Sequence, residues 1–430
     1  MKFKILPILM VALVLSACGG SSGDTKSSSS ASQGASAASE PVTLTINTFG
    51  DFGYADLLKK YHELHPNVTV KENKTEYNAH HQALQLHLQA GSGAGDIEAI
   101  DEGFVLQFRN QASKFHNLDD LGAQSIKARW LPWKWAATES ADGKTQIGLG
   151  TDVGGLAMCY RKDLFAKAGL PTDREAVSKL WPTWDAYINA GKDFVAKSGG
   201  VKWVDAATNI MNPVLAQQPV GYFDTSDQLA MTSQPGVKAA WDTSMSVISN
   251  KLSANLTAFS PDWNTGFKQG SFATIACPAW MLGYIQGQAP ATAGKWDIAT
   301  IPGGGGNWGG SFLVLPKQGK HPKEAYELAA WLTDPAQTLQ IFEKVGNLPS
   351  QVDLFTNAQV LASTNKFFSG APVGKIFIAT AQQLKPQYLG TKNGPVRQAV
   401  EANITLVQQG KLTPDAAWQK ALADAQTAAG

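Results

Sequence analysis

Four acids stand where loops leave predicted strands or a predicted hinge: Asp51, Asp101, Glu102 and Asp152. Two indoles have equally suggestive settings. Trp280 follows an apolar strand and Pro278, and Trp308 lies in the loop 302–310, among Gly303 to Gly306 and Gly309-Gly310, where a large ring has little local core to fill. Ionised carboxylates accept charge-assisted hydrogen bonds from hydroxyls. An indole face covers C–H groups, and a binding site pairs such surfaces with a few convergent polar groups. A pyranose offers hydroxyls at its edge and C–H groups on its faces, so these residue types suit it. Phe49, Trp263 and Arg397 are further candidates; Arg397 begins a late helix, 396–409, and faces either a ligand or water. The opposing reading is ordinary. Most tryptophans fill cores, and a loop acid is commonly solvated.

Other chemistries find less support. Two acids in a cleft can hydrolyse a glycosidic bond, but no Gly-x-Ser-x-Gly nucleophile motif is present, and no enzyme activity is expected. His62, His65, His80, His81 and His87 include no pair four residues apart that would turn two rings one way, so no metal is expected. The glycines 303–306 are not followed by Lys-Ser/Thr and make no phosphate loop; no cofactor is expected. Lys and Arg number 36 against 35 Asp and Glu, which removes the electrostatic case for a nucleic-acid partner. Only 17% of residues are charged, while 13 Trp and 9 Tyr supply flat amphipathic surface. Trp130, Trp133 and Trp135 surround Pro132 and read as local packing.

The elements that position these residues follow an α/β rhythm. Val42, Leu44 and Ile46 alternate with threonines as a strand. Asp56 to Leu64 has helical spacing and stops at Pro66. Val68 to Val70 is a second strand, Asn78 to Ala90 a helix stopped by Gly91, and Asp96 to Ile100 a third strand. Such alternation predicts ligand groups on loops at the carboxyl ends of strands. Thr183-Trp184-Asp185, Ser260-Pro261-Asp262 and Thr413-Pro414-Asp415 place a hydroxyl cap at three later helix starts. Further strands are expected at 155–160, 273–277 and 311–315. No short repeat is visible.

Residues 1–17 read as a secretion signal: Lys2 and Lys4, an apolar run from Ile5 to Leu15 too short for a membrane span, then Ser16-Ala17-Cys18. Leu15 to Cys18 resembles the bacterial lipobox, which implies lipid on Cys18 and membrane contact through that lipid alone. Residues 18–41, mostly Ser, Gly and Ala with a few polar residues, read as a flexible tether on the outer face of the cell membrane. About 390 residues remain, more than one core usually supports, so two lobes are expected. Outside the cell Cys159 and Cys277 are free to pair, yet each also fits a buried strand cysteine that never meets the other.

Several stretches carry a family resemblance: Leu44-Thr45-Ile46-Asn47, Gly95-Asp96-Ile97, the run 160–170 (YRKDLFAKAGL), Phe267 to Ala273 leading into Cys277-Pro278-Ala279-Trp280, Gly309-Gly310-Ser311-Phe312, and the helix 324–332 closed by Thr333-Asp334-Pro335. Together they resemble the family 1 extracellular solute-binding proteins of ABC sugar importers, the maltose-binding-protein-like group. Gly148 to Asp152, Cys159 to Asp163, Leu170 to Glu175 and Ala276-Cys277-Pro278 are similar to Gram-positive cellobiose and cello-oligosaccharide receptors; receptors for chitobiose and other β-linked sugars share enough of the pattern to stay open, and xylo- and malto-oligosaccharides are alternative solutes. The resemblance implies a two-lobed periplasmic-binding-protein-like α/β fold with hinge strands between the lobes. It implies a monomer that closes on a small neutral oligosaccharide and delivers it to an ABC permease and its ATPase. Crossings are expected near 151–156, 273–277 and Thr333, giving one lobe of residues 42–152 plus 276–334 and another of 153–275 plus 335–430. Both thiols would then lie beside the hinge.

Overall fold

The computed structural model describes residues 40–430; the secretion signal, Cys18 and nearly all of the tether lie outside the described residues. Two sheets organise the chain. The first contains β1 (Val42–Phe49), β2 (Val68–Thr75), β3 (Ile97–Asp101), β4 (Gly148–Gly150) and β9 (Ser311–Val314), in the order β2-β1-β3-β9-β4. The second contains β5 (Leu156–Arg161), β6 (Lys202–Val204), β7 (Phe272–Pro278) and β8 (Trp296–Ala299), in the order β6-β7-β5-β8. β1 runs parallel to β2 and β3, while β9 is antiparallel to β3 and β4.

Both sheets are covered on two faces, as the period of two along a strand requires. In the first, Ile97, Ala99, Leu149 and Leu313 face one core and Ile100, Phe312 and Val314 the other. In the second, Leu156, Met158 and Tyr160 point one way and Ala157 and Cys159 the other. The result is a two-lobed α/β molecule with four apolar layers. Helix starts follow the chemistry of their caps: Thr183, Ser260 and Thr413 accept from the backbone N–H of Ala186, Trp263 and Ala416. Gly91 ends its helix in the left-handed conformation, φ 74°.

One lobe boundary differs from expectation. The chain passes from β4 to β5 through 151–155, near the expected place, but does not cross back at 273–277. β7 is buried along its whole length and pairs antiparallel with β5 from Leu156↔Pro278 to Tyr160↔Thr274. β8 pairs with the other edge of β5. The return is therefore the glycine-rich segment 300–310, and residues 276–299 belong with the second sheet. Near Thr333 the helix Pro322–Leu332, whose Leu328, Ala329 and Leu332 pack in the first lobe, gives way to the helix Pro335–Val345. That helix places Ile341 in the first lobe's core and Phe342 in the second's.

Cys159 and Cys277 are joined by a disulfide, Cα–Cα 5.7 Å. Cys159 lies opposite Ile275 and Cys277 opposite Ala157, so the bond runs diagonally across two neighbouring strands of one sheet. It ties two neighbouring strands of the second sheet to each other.

Candidate functional site

Asp101 ends β3 and caps the helix Glu102–Arg109. Its Oδ1 accepts from Gly103 N–H and from Tyr77 O–H, each at 2.8 Å. Its own N–H donates to His81 Nε2 at 3.0 Å, and His81 Nδ1 donates to Tyr77 O at 2.7 Å, so both ring nitrogens of His81 serve the wall. Burial holds the His81 ring far below its usual range, at about 3, and therefore neutral. Phe104 stacks on that ring at 4.1 Å and Phe49 lies 4.8 Å away. Burial raises the Asp101 carboxyl, opposed by its bonds to Gly103 and Tyr77. Burial likewise pushes Glu102 up to about 7 against the pull of the Lys134 ammonium; Glu102 Oε2 accepts from Asn307 Nδ2 at 2.7 Å.

The crossing segments set Trp308. Its N–H donates to Gly154 O at 2.8 Å, and Gly154 N–H donates to Asn307 Oδ1 at 3.0 Å. A Cβ on Gly154 would lie 2.1 Å from Trp308 O, so only glycine permits this approach. The indole is half-buried and borders two cavities. One, of 320 Å³, is lined among others by Tyr77, Asn209, Phe259, Trp308 and Arg397. The other, of 90 Å³, is lined among others by Asp101, Glu102, Asn212, Tyr222, Trp308 and Arg397. Between them Asn393 Nδ2 donates to Gly103 O at 3.2 Å, linking the two lobes. Arg397, on the helix Asn393–Gln408, donates from Nε to Glu401 Oε1 at 2.8 Å. Burial acts to lower its pKa, but the Glu401 carboxylate holds it above the usual guanidinium range.

Of the residues singled out in the sequence, Asp101, Glu102, Trp308 and Arg397 meet in this cleft. Trp280 stands one layer back: its Nε1 donates to Trp308 O at 3.0 Å and the two indoles meet edge to face at 5.8 Å. Four candidates lie elsewhere. Phe49 packs behind the wall against Phe52, Tyr77, His80 and His81. Asp51 is exposed, accepting from Gly53 N–H at 3.0 Å and pairing with Lys74 at 3.2 Å. Asp152 is buried between β4 and β5 and accepts from Thr151 Oγ1 at 2.6 Å and Ser311 N–H at 2.9 Å. Trp263 is fully buried, its ring against Phe267 and its Nε1 donating to Asp205 Oδ2 at 2.8 Å.

Sequence reasoning missed Tyr77, Asn209, Asn212, Phe259, Asn307, Asn393 and Glu401. Asn307 had a signal, being next to Trp308 among glycines. Phe259 is 42% exposed at the cavity edge with a left-handed backbone, φ 64°, which is rare for a bulky residue. Its sequence gives no sign of that. A separate cavity of 280 Å³ lies outside the cleft, between the helices Ala279–Gln288 and Pro335–Val345 and the segment 363–373. Among the described residues no helix is long and apolar enough to cross a membrane.

Residues 56–367 match the family model of the bacterial extracellular solute-binding protein. A crystal structure of an extracellular solute-binding protein of family 1 is 43% identical, covering 91% of this chain and 100% of that one with a TM-score of 0.80. The arabinooligosaccharide-binding protein of Bacillus subtilis (strain 168) is 25% identical over 406 residues, 90% of this chain and 89% of that protein. An ABC transporter associated binding protein from B. animalis subsp. lactis Bl-04, solved with beta-1,6-galactobiose, shares the fold: TM-score 0.77, 21% identity, 90% and 97% of the two chains. On the family match and the 43% relative, this chain belongs to the bacterial extracellular solute-binding proteins.

Proposed function

We propose that the protein captures a small neutral oligosaccharide by closing its lobes and delivers it to an ABC permease and its ATPase. The observation that carries this reading is Trp308: a flat apolar ring open to both cavities, with Asp101 and Glu102 on one side and Asn212 and Arg397 on the other. A sugar needs that pairing of a face with an edge of polar groups. Arg397 is already paired with Glu401, which leaves Lys385 as the one unpaired cation among the described residues lining the smaller cavity, fewer than an anionic solute would call for. The relatives add support, since one is named for arabinooligosaccharide and another was solved with beta-1,6-galactobiose.

Cello-oligosaccharide is the first solute to test, on the motif similarity at 148–152, 159–163, 170–175 and 276–278. In this reading the lobes comprise 42–152 with 311–334 and 153–299 with 335–430. They close about the connections 151–155, 300–310 and 333–334. Cys18 carries lipid and residues 18–41 tether the lobes to the outer face of the membrane, so Cys18→Ala should release the protein from cells. Calorimetry against cellobiose, cellotriose, chitobiose, maltose, xylobiose, lactose, beta-1,6-galactobiose and arabinotriose tests the solute. Saturable binding without hydrolysis is expected for at least one. Silence across the panel, or sugar cleavage, would overturn the reading.

A further inference from the structure

The helix Thr208–Ala216 presents two asparagines one turn apart, Asn209 toward the larger cavity and Asn212 toward the smaller. Side chains three positions apart share a helix face. Each amide nitrogen is already engaged. Asn209 Nδ2 donates to Asp205 Oδ2, the same oxygen that accepts from Trp263 Nε1 at 2.8 Å. Asn212 Nδ2 donates at 2.8 Å to Glu401 Oε1, which also accepts from Arg397 Nε. An ionised carboxylate only accepts hydrogen bonds, so it fixes which end of a facing amide turns toward it. The nitrogen must point to the acid and the carbonyl oxygen away from it. Among the described residues neither Asn209 Oδ1 nor Asn212 Oδ1 meets a donor, and neither is a sealed polar atom without a partner. Each is left facing its cavity.

We infer that Asn209 and Asn212 form an acceptor-only edge, one carbonyl in each cavity, that reads ligand hydroxyls strictly as donors. Asp205 and Glu401 are the positioning residues that set this polarity. The inference rests on the oligosaccharide reading and sharpens it: the solute presents at least two free, unsubstituted hydroxyls to this helix. Deoxy, fluoro or O-methyl replacement at either position leaves a buried carbonyl without a partner, a loss of about tenfold or more.

Two arms test it on the full mature chain. In ¹⁵N-labelled protein without sugar, the Nδ2 protons of Asn209 and Asn212 should exchange slowly with water. Glu401→Ala should speed exchange at Asn212 alone, and Asp205→Ala at Asn209 alone. Glu401 is half-buried, so its variant keeps the test valid if Asp205→Ala fails to fold. The second arm titrates cellobiose, lactose and beta-1,6-galactobiose, each with its monodeoxyfluoro derivatives, by calorimetry. Fluorine cannot donate. For any of the three that binds, one fluorination should cost about tenfold in the native protein and nothing in Asn209→Leu, and a different one should be silent in Asn212→Leu. Penalties that persist in both variants overturn the inference while leaving sugar capture intact. If none of the three binds, the solute reading itself is contradicted for these sugars, and rapid Nδ2 exchange in the native protein would overturn the assigned polarity independently.

Discussion

Trp308 borders the cleft cavities while Trp263 is fully buried, and on the proposed function replacing each with alanine should separate binding from stability. A tryptophan presents roughly 150–250 Å² of surface, and a half-buried ring leaves on the order of 60 Å² for a ligand. Covering that area and a similar area of sugar face, at about 25 cal/mol per Å², gives about 3 kcal/mol. Trp308→Ala should therefore weaken sugar binding by about 100-fold. Because the ring also packs against the cores on both faces of the second sheet, unfolding should become easier by about 1 kcal/mol. Trp263 is 0% exposed and its indole N–H is bonded to Asp205, so Trp263→Ala opens a core cavity and leaves a buried carboxylate with one donor fewer beside Asn209. A loss of about 3–5 kcal/mol of stability is expected, with affinity nearly unchanged in the folded fraction. Calorimetry paired with denaturant titration reads both quantities. If Trp308→Ala loses mainly stability, or Trp263→Ala mainly affinity, the assignment of the two rings is wrong.

Glu98 is 2% exposed, accepts from Asn47 Nδ2 and Gly95 N–H at 2.7 Å, and is pushed up to about 7 by burial. A raised folded-state pKa favours the folded protein below the unfolded value near 4.5 and loses that contribution as pH rises through about 7. Unfolding free energy should thus fall by up to about 3 kcal/mol from pH 5 to pH 8, and Glu98→Gln should flatten this slope in denaturant titrations. Replacing Cys159 and Cys277 by alanine opens a loop whose ends are 118 residues apart, a cost of about 3–5 kcal/mol. Because both strands belong to one sheet, sugar affinity should survive; a large affinity loss would put the disulfide back at the hinge. Asp51→Ala should change affinity less than about twofold, as Asp51 is exposed and paired with Lys74.

Much of the fold was legible because local rules and tertiary packing agree. Val42, Leu44 and Ile46 alternate because one face of β1 is buried, and the Ser/Thr-Pro/Trp-Asp starts cap helices where they stand. What escaped is long-range. β4, β6 and β8 are three or four residues long and exist through the strands they pair with, which no local pattern announces. The return to the first sheet was placed at β7 because a buried strand looks alike in either lobe. Asp101 and Trp308, singled out by loop position and glycine context, both line the cleft. Trp263 was misjudged because its partner Asp205 lies 58 residues away. Asn209 and Asn212 escaped because their value depends on Asp205 and on Glu401, 189 residues beyond Asn212.

The central claim is that one solute is held by both lobes at the cleft around Trp308. Amide hydrogen exchange, with and without the tightest-binding sugar of the panel, tests it most directly. Protection should rise together at 101–104 in the first lobe, at 307–310 in the crossing segment, and at 208–212 and 393–397 in the second lobe. Protection confined to one lobe, or centred on the cavity between the helices Ala279–Gln288 and Pro335–Val345, would contradict it.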